Sequence, residues 1–256
     1  MEAHELNHSK IIMFENEDVL FEKSYLKVRS LEDHVYTIEE VKKLPLSSKR
    51  IDEWKMRADS AKHFLRYINQ KEELKILDIG CGNGWFTNFI SSAENLVEVI
   101  GIDINLFELK QANDAFSQNK KIKWIYGDLF NYKLDHFRFD IIVLNGCIQY
   151  FEDFEKLINR LLDLCNKEGE IHILDSPFCK NENDKKMSIL RSNEYYKKLG
   201  CDDMLNKFIP HTVSQLKKYN FEILKKPTLT TKILTKISFQ KIINNPFMWI
   251  KLQNNL

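Results

Sequence analysis

The sequence has no long apolar run. Nothing in its 256 residues approaches the ~20 consecutive apolar positions of a membrane-spanning helix. The opening stretch, MEAHELNHSKIIMFENEDVLF, sets acids among its apolar residues, so no secretory h-region is expected. Cysteine is sparse: Cys81, Cys147, Cys165, Cys179 and Cys201 make five, an odd number with no CxxC pair. That argues against zinc-finger spacing and against a disulfide framework; reduced thiols in a cytoplasmic protein without a metal site are expected. Formal net charge is only +1, which supplies no whole-protein field for nucleic acid or a membrane surface. Repeats and low-complexity linkers are missing too. Glycine is scarce, eight in all, yet three crowd into five positions at Gly80, Gly82 and Gly84.

What is present is ordinary in bulk and uneven in detail. Hydrophobic residues at 43% and charged residues at 29% suit a globular chain long enough for one large α/β domain or two small ones. From His211 to the end there are eight lysines and one acid, Glu222. Two readings of that stretch stand: a surface that steers an anionic substrate, and a solvated lysine-rich face.

Residues 1–48 are mixed. In YTIEEVKKLP, Thr37 and Glu40 have capping-box spacing and Pro45 closes a short helix. Over residues 49–70 the apolar positions Ile51, Trp54, Ala58, Ala61, Leu65 and Ile68 predict an amphipathic helix. A second rhythm then begins. LKILDIG, VEVIGID, IKWIYGD, FDIIVLN and GEIHILD read as short buried strands. Helical segments separate most of them, which predicts βαβ units, a parallel sheet and the α/β class. Beyond Asp175 the expectation is a polar loop (PFCKNENDKK), a helix (MSILRSNEYYKKLG), then helix and strand in HTVSQLKKYNFEILKK, with NPFMWIKLQ as a last strand.

The glycine cluster lies between the first of these strands and a helix. There it lets the backbone approach a ligand and aims a helix N-terminus at it. Asp78, Asp103, Asp128 and Asn145 fall at or just past the ends of the first four strands. In a doubly wound sheet, ligands bind outside those ends, so the four polar groups should converge on one crevice. Asp103, 21 residues after Gly82, is placed to accept hydrogen bonds from a ribose. Asp128 is placed to accept from an adenine amine. Trp85 occupies the third-glycine position of the dinucleotide pattern GxGxxG, which counts against a nicotinamide cofactor.

LDIGCGNG, GIDIN, GDLF and FDIIVLNG together resemble successive motifs of the class I S-adenosylmethionine-dependent methyltransferases, over residues 74 to about 175. The resemblance implies a doubly wound, mostly parallel seven-stranded sheet with helices on both faces across residues 49–256. Residues 1–48 would be an N-terminal helical extension that could cover the site, and a substrate-covering insertion would follow the fifth strand. S-adenosyl-L-methionine would be the cofactor. Asp78, Gly80 and Gly82 would meet its amino-acid end, Asp103 its ribose, Asp128 its adenine and Asn145 the region near the sulfonium. Cys81, Ile104, Leu129 and Gln149 adjoin these and complete the expected cofactor set.

Two readings of Arg57 stand, a contact to the cofactor carboxylate and a surface residue. The candidate catalytic residues are His211, before the Thr212/Gln215 capping box, and Tyr150, after the fourth strand. A helix-entry role for His211 is the competing reading. His172 is expected in the core. Cys147 lacks a Pro-Cys context, and no Asn/Asp-Pro-Pro-Tyr motif follows the fourth strand. Tyr195 and Tyr196 diverge by about 100° on a helix, so one of them at most should face a pocket. The acceptor is expected to be a small molecule. RNA or protein acceptors, and a cofactor-binding interaction protein without catalysis, are the alternatives. No RNA module is recognisable, and the oligomeric state is not readable.

Overall fold

The computed structural model describes residues 11–14, 19–227 and 245–254. Elements follow in chain order: β1 (Ile12–Met13), α1 (Val19–Leu31), α2 (Ile38–Lys43), α3 (Ile51–Ile68), β2 (Leu74–Ile79), α4 (Trp85–Ile90), β3 (Leu96–Asp103), α5 (Leu106–Phe116) and β4 (Ile122–Tyr126). Then come β5 (Phe139–Asn145), α6 (Phe154–Leu164), β6 (Cys165–Ser176), β7 (Phe178–Cys179), α7 (Glu182–Lys198), β8 (His211–Thr212), α8 (Val213–Leu216), β9 (Phe221–Lys225) and β10 (Met248–Gln253). Short 3-10 turns at Tyr132–His136, Ile148–Tyr150 and Asp202–Met204 link them.

One eight-stranded sheet carries the molecule in the order β1-β4-β3-β2-β5-β6-β10-β9. The contacts from β1 through β6 are parallel, and β10 pairs antiparallel with both β6 and β9. Seven of these strands are the expected sheet. The eighth is a correction: β1 adds to the β4 edge through Ile12↔Ile125 and Met13↔Tyr126. Two residues are too few to show a period-2 pattern. β7 and β8 form a separate small sheet; β7 falls where a polar loop was expected, and α7 begins there, N-capped by Asn181 accepting from Asp184 N.

Because both faces of the parallel strands are covered, their alternating side chains enter two cores. Ile76, Val99 and Ile141 pack with Phe64 of α3, Phe86 of α4 and Leu109 of α5. Leu77, Ile100 and Ile142 pack with Leu157, Ile158 and Leu161 of α6. α3 buries Trp54, Ala61 and Ile68 of the expected stripe together with Phe64; Ala58 and Leu65 are half-buried, and Ile51 stands 48% exposed. Strand order reverses between β2 and β5, and the crevice beyond their carboxyl ends is where such a sheet binds ligands. A third, small cluster lies above it: Val28 of α1 with Tyr196, Cys201 and Met204. α1 is tied down on both sides. Glu22 Oε2 accepts from Leu106 N at 2.7 Å, capping α5, and Ser24 Oγ donates to Asp203 Oδ2 at 3.1 Å.

Candidate active site

At the switch point the chain turns from β2 into α4 through Gly80–Gly84. Gly84 stands at φ 74° as the N-cap of α4. A Cβ there would lie 2.4 Å from Trp124 Cη2 and 2.7 Å from Ala112 Cβ; one at Gly101 would lie 2.7 Å from Trp124 Cζ3. The buried indole of Trp124 therefore fits under the loop because both glycines lack side chains. Gly82, at φ 53°, has open space but for the Glu108 carboxylate, 3.0 Å from a would-be Cβ. Gly80 closes on Cys147, whose Sγ donates to Ile79 O at 3.0 Å. Of the three glycines, two accommodate protein side chains and Gly82 faces the crevice.

The crevice is a cavity of about 570 Å³, within the ~300–1,000 Å³ range of small-molecule sites. Its walls include Arg57, Asp78, Gly80, Cys81, Gly82, Asp103, Ile104, Asp128, Leu129, Asn145, Gln149 and Tyr150. Every expected cofactor residue thus borders one space. His211 does not. It is fully buried in β8, its ring 4.9 Å from that of Phe154. The Thr212/Gln215 capping box forms as expected, but the histidine packs against Phe154 and does not line the cavity. The expectation that His211 meets substrate is corrected accordingly. Burial, together with Lys185, pushes its pKa down to about 4 and keeps it neutral.

Asp103 anchors the loop. Its Oδ2 accepts from Gly82 N at 2.7 Å and its Oδ1 from Asn105 N at 2.8 Å. Burial pushes its pKa up to about 7, the Glu108 carboxylate adds to the rise, and the backbone donors oppose it. Asp78 is buried under the loop and accepts from Thr87 Oγ1 at 2.5 Å; burial raises it too, to about 7. Burial raises both acids, so a positive charge placed beside them would favour their ionised forms. Ile104, 41% exposed, and Leu129, buried, both line the cavity. Asp128 Oδ1 accepts from Phe130 N at 3.1 Å. Gln149 donates to Gly146 O at 2.7 Å. Arg57 donates to Glu53 Oε1 at 2.9 Å, and its Nη1 lies 3.6 Å from a would-be Cβ on Gly146. Burial raises the Glu53 carboxyl, but His34, Arg57 and Arg50 outweigh it and hold it well below the usual range.

A methyltransferase-domain family model matches residues 70–241. The chain belongs to the methyltransferase-domain family. Rv0089, an uncharacterized methyltransferase of Mycobacterium tuberculosis, is 28% identical over 99 residues, covering 39% of this chain and 49% of that one. The chain spans about half the length of the curated relatives it matches first, or less. Among solved structures, YcgJ of Bacillus subtilis aligns at TM-score 0.61 and 12% identity, covering 78% of this chain and 99% of that one. The plantazolicin methyltransferase BpumL, in complex with SAH, aligns at TM-score 0.53 and 20% identity, covering 91% and 100%. Both share the fold of this methyltransferase domain.

S-adenosyl-L-methionine is the cofactor of this family, and the residues present fit it. Asn145 Oδ1, Gln149 Oε1 and Asn105 Nδ2 belong to cavity-lining residues and are buried with no hydrogen-bond partner among the described residues. Buried polar atoms are rarely left so, and a polar ligand would satisfy them. The sequence reading missed a second wall, from α1. Tyr25, Val28, Arg29 and Glu32 all line the cavity; their i, i+3, i+4, i+7 spacing puts them on one helix face, but three of the four are polar, so no apolar stripe marks it. His34, Glu53 and Glu108 were missed as well. Of the tyrosine pair, Tyr196 lines the cavity, while Tyr195 is 43% exposed and donates to Glu32 Oε1 at 2.9 Å.

Proposed function

We propose that this chain transfers the methyl group of S-adenosyl-L-methionine to a small-molecule acceptor, by in-line attack on the sulfonium methyl. The observation that carries the reading is the convergence of Asp78, Asp103, Asp128 and Asn145, from four strand ends, on one cavity roofed by the N-terminal helix. The cofactor brings the chemistry, because its sulfonium is a good leaving group. The chain's own residues bind and orient. Asp103 takes the ribose hydroxyls with the lone pairs left free by Gly82 and Asn105. Ile104 and Leu129 hold the adenine between apolar walls, with Asp128 at its edge. Asp78, Gly80, Cys81, Gly82, Asn145 and Gln149 border the amino-acid end, and Arg57 meets its carboxylate.

Tyr150 lies where the acceptor would approach. Its phenol is pushed above its ordinary pKa by burial, so at neutral pH it stays protonated and orients the acceptor as a hydrogen-bond donor. α1 acts as a cover: it spans from α5 to the segment after α7. α7 and the turn at Asp202–Met204 are the matching cover after β6. The small volume of the cavity supports a small acceptor over RNA or folded protein. Five free cysteines support a reducing, cytoplasmic setting, and no described helix is long and apolar enough to cross a membrane.

The test is to supply S-adenosyl-L-methionine labelled in its methyl group, with separate small-molecule, RNA and protein fractions of a cell extract. The reading expects label in the small-molecule fraction and SAH in equal amount. Label in RNA or protein, or calorimetry showing no heat with SAH, would overturn it.

A further inference from the structure

The cofactor has a single carboxylate, yet two guanidinium groups border the cavity, on different helices and joined through His34 and Glu53. Arg57 lies against Gly146, at the β5 end. Arg29 is on α1, and its guanidinium carbon stands 5.8 Å from the Tyr25 ring centre. Tyr25 meets Tyr150 edge-on at 6.0 Å, and Tyr150 meets Phe208 at 6.5 Å. Tyr196 and Met204 complete that end of the cavity. Arg29 Nη1 is engaged by His34 Nδ1. Its Nη2 forms an ion pair with Glu108 Oε1 at 3.8 Å, beyond hydrogen-bond distance. Its Nε is buried with no hydrogen-bond partner among the described residues.

The Arg29 guanidinium, set among aromatic rings, keeps one N–H without an acceptor. A buried donor to which nothing accepts is costly, and a charged one more so. The guanidinium fork matches a carboxylate in shape and charge. A dianion fits less well, because Glu108 and Glu32 border the same space. A cationic acceptor would share the ring-lined end with Arg29 and be repelled.

We propose that Arg29 anchors a carboxylate on the methyl acceptor, so that the acceptor is a small organic carboxylate whose apolar body packs among Tyr25, Tyr150, Tyr196 and Phe208. The proposal rests on the reading that the rest of the cavity takes the cofactor.

The experiment measures binding by calorimetry to the full chain saturated with SAH, using four one-ring probes: benzoate, phenyl phosphate, benzyl alcohol and benzylamine. Benzoate should bind at least tenfold tighter than benzyl alcohol and benzylamine, and tighter than phenyl phosphate. Arg29→Met should erase the benzoate preference, and Arg29→Lys should restore part of it, while SAH affinity changes less than threefold in both. Equal binding of benzoate and benzyl alcohol by the unaltered chain, or preference for benzylamine, overturns the proposal whether or not the variants fold. Preference for phenyl phosphate overturns the carboxylate assignment. Loss of SAH affinity in Arg29→Met also overturns it, since Arg29 would then hold the cofactor. Failure of the unaltered chain to bind SAH is the separate result that removes the cofactor reading itself.

Discussion

Replacing Asp103 with asparagine separates two roles of one carboxylate. The group accepts from Gly82 N and Asn105 N at 2.7 and 2.8 Å, and it borders the cavity where a ribose would lie. An amide has one acceptor oxygen and an NH2 that donates. It can keep one backbone bond, and it cannot also serve two ribose hydroxyls. Hydrogen bonds to a charged group contribute about 1.5–3 kcal/mol each. Losing one to the ligand and loosening the loop should weaken SAH binding by roughly ten- to a hundredfold.

Apo stability should respond to pH in a second, independent way. The folded-state pKa near 7 lies above the ordinary 3.8. The folded chain therefore holds this proton where the unfolded chain has released it. The contribution is fully present below about pH 4 and is lost as pH rises through about 7. Asp103→Asn cannot titrate, so its stability should fall less than that of the unaltered chain across that window. Calorimetry with SAH reads the first effect, and urea midpoints at pH 4.5, 6 and 7.5 read the second. Unchanged SAH affinity would refute the ribose assignment. Parallel pH curves would refute the buried-acid argument.

Further predictions follow from the same loop and its surroundings. Gly84→Ala places a Cβ against Trp124 and Ala112 at φ 74°; overpacking and backbone strain should cost about 2–4 kcal/mol in a denaturant titration, and a loss under 0.5 kcal/mol would contradict the packing. Gly82→Val meets the Glu108 carboxylate at φ 53°. It should keep near-native circular dichroism yet bind SAH at least tenfold more weakly, and normal binding by the folded variant would contradict the close-approach argument. His211→Leu should leave SAH affinity within about twofold, because the ring lies off the cavity. Its stability should also fall less between pH 6.5 and 4 than that of the unaltered chain. A histidine held low at about 4 contributes stability above 6.5 that is lost as pH falls through 4. A hundredfold drop in methyl transfer with intact stability would return His211 to the site.

Much of this was legible in the sequence for a physical reason. β2, β3, β4, β5 and β6 are buried on both faces, so they read as short apolar runs, and the acids at their ends stand out against them. The cavity end of the sheet was therefore visible as a linear pattern. α1 was not. The face it turns inward carries Tyr25, Arg29 and Glu32, which line a polar cavity rather than a core, so apolar periodicity is weak where the helix matters most. β1 is two residues long and owes its existence to the free edge of β4. His211 shows a different limit. Its capping box was correct, but a cap fixes where a helix starts and not which way the preceding side chain points. Its packing against Phe154 is a tertiary contact.

The most direct measurement is a crystal structure with SAH bound. The account predicts adenine between Ile104 and Leu129, ribose oxygens within hydrogen-bond distance of Asp103, and the amino-acid carboxylate at Arg57. SAH bound outside this cavity, or lying in it with its ribose away from Asp103, would contradict it.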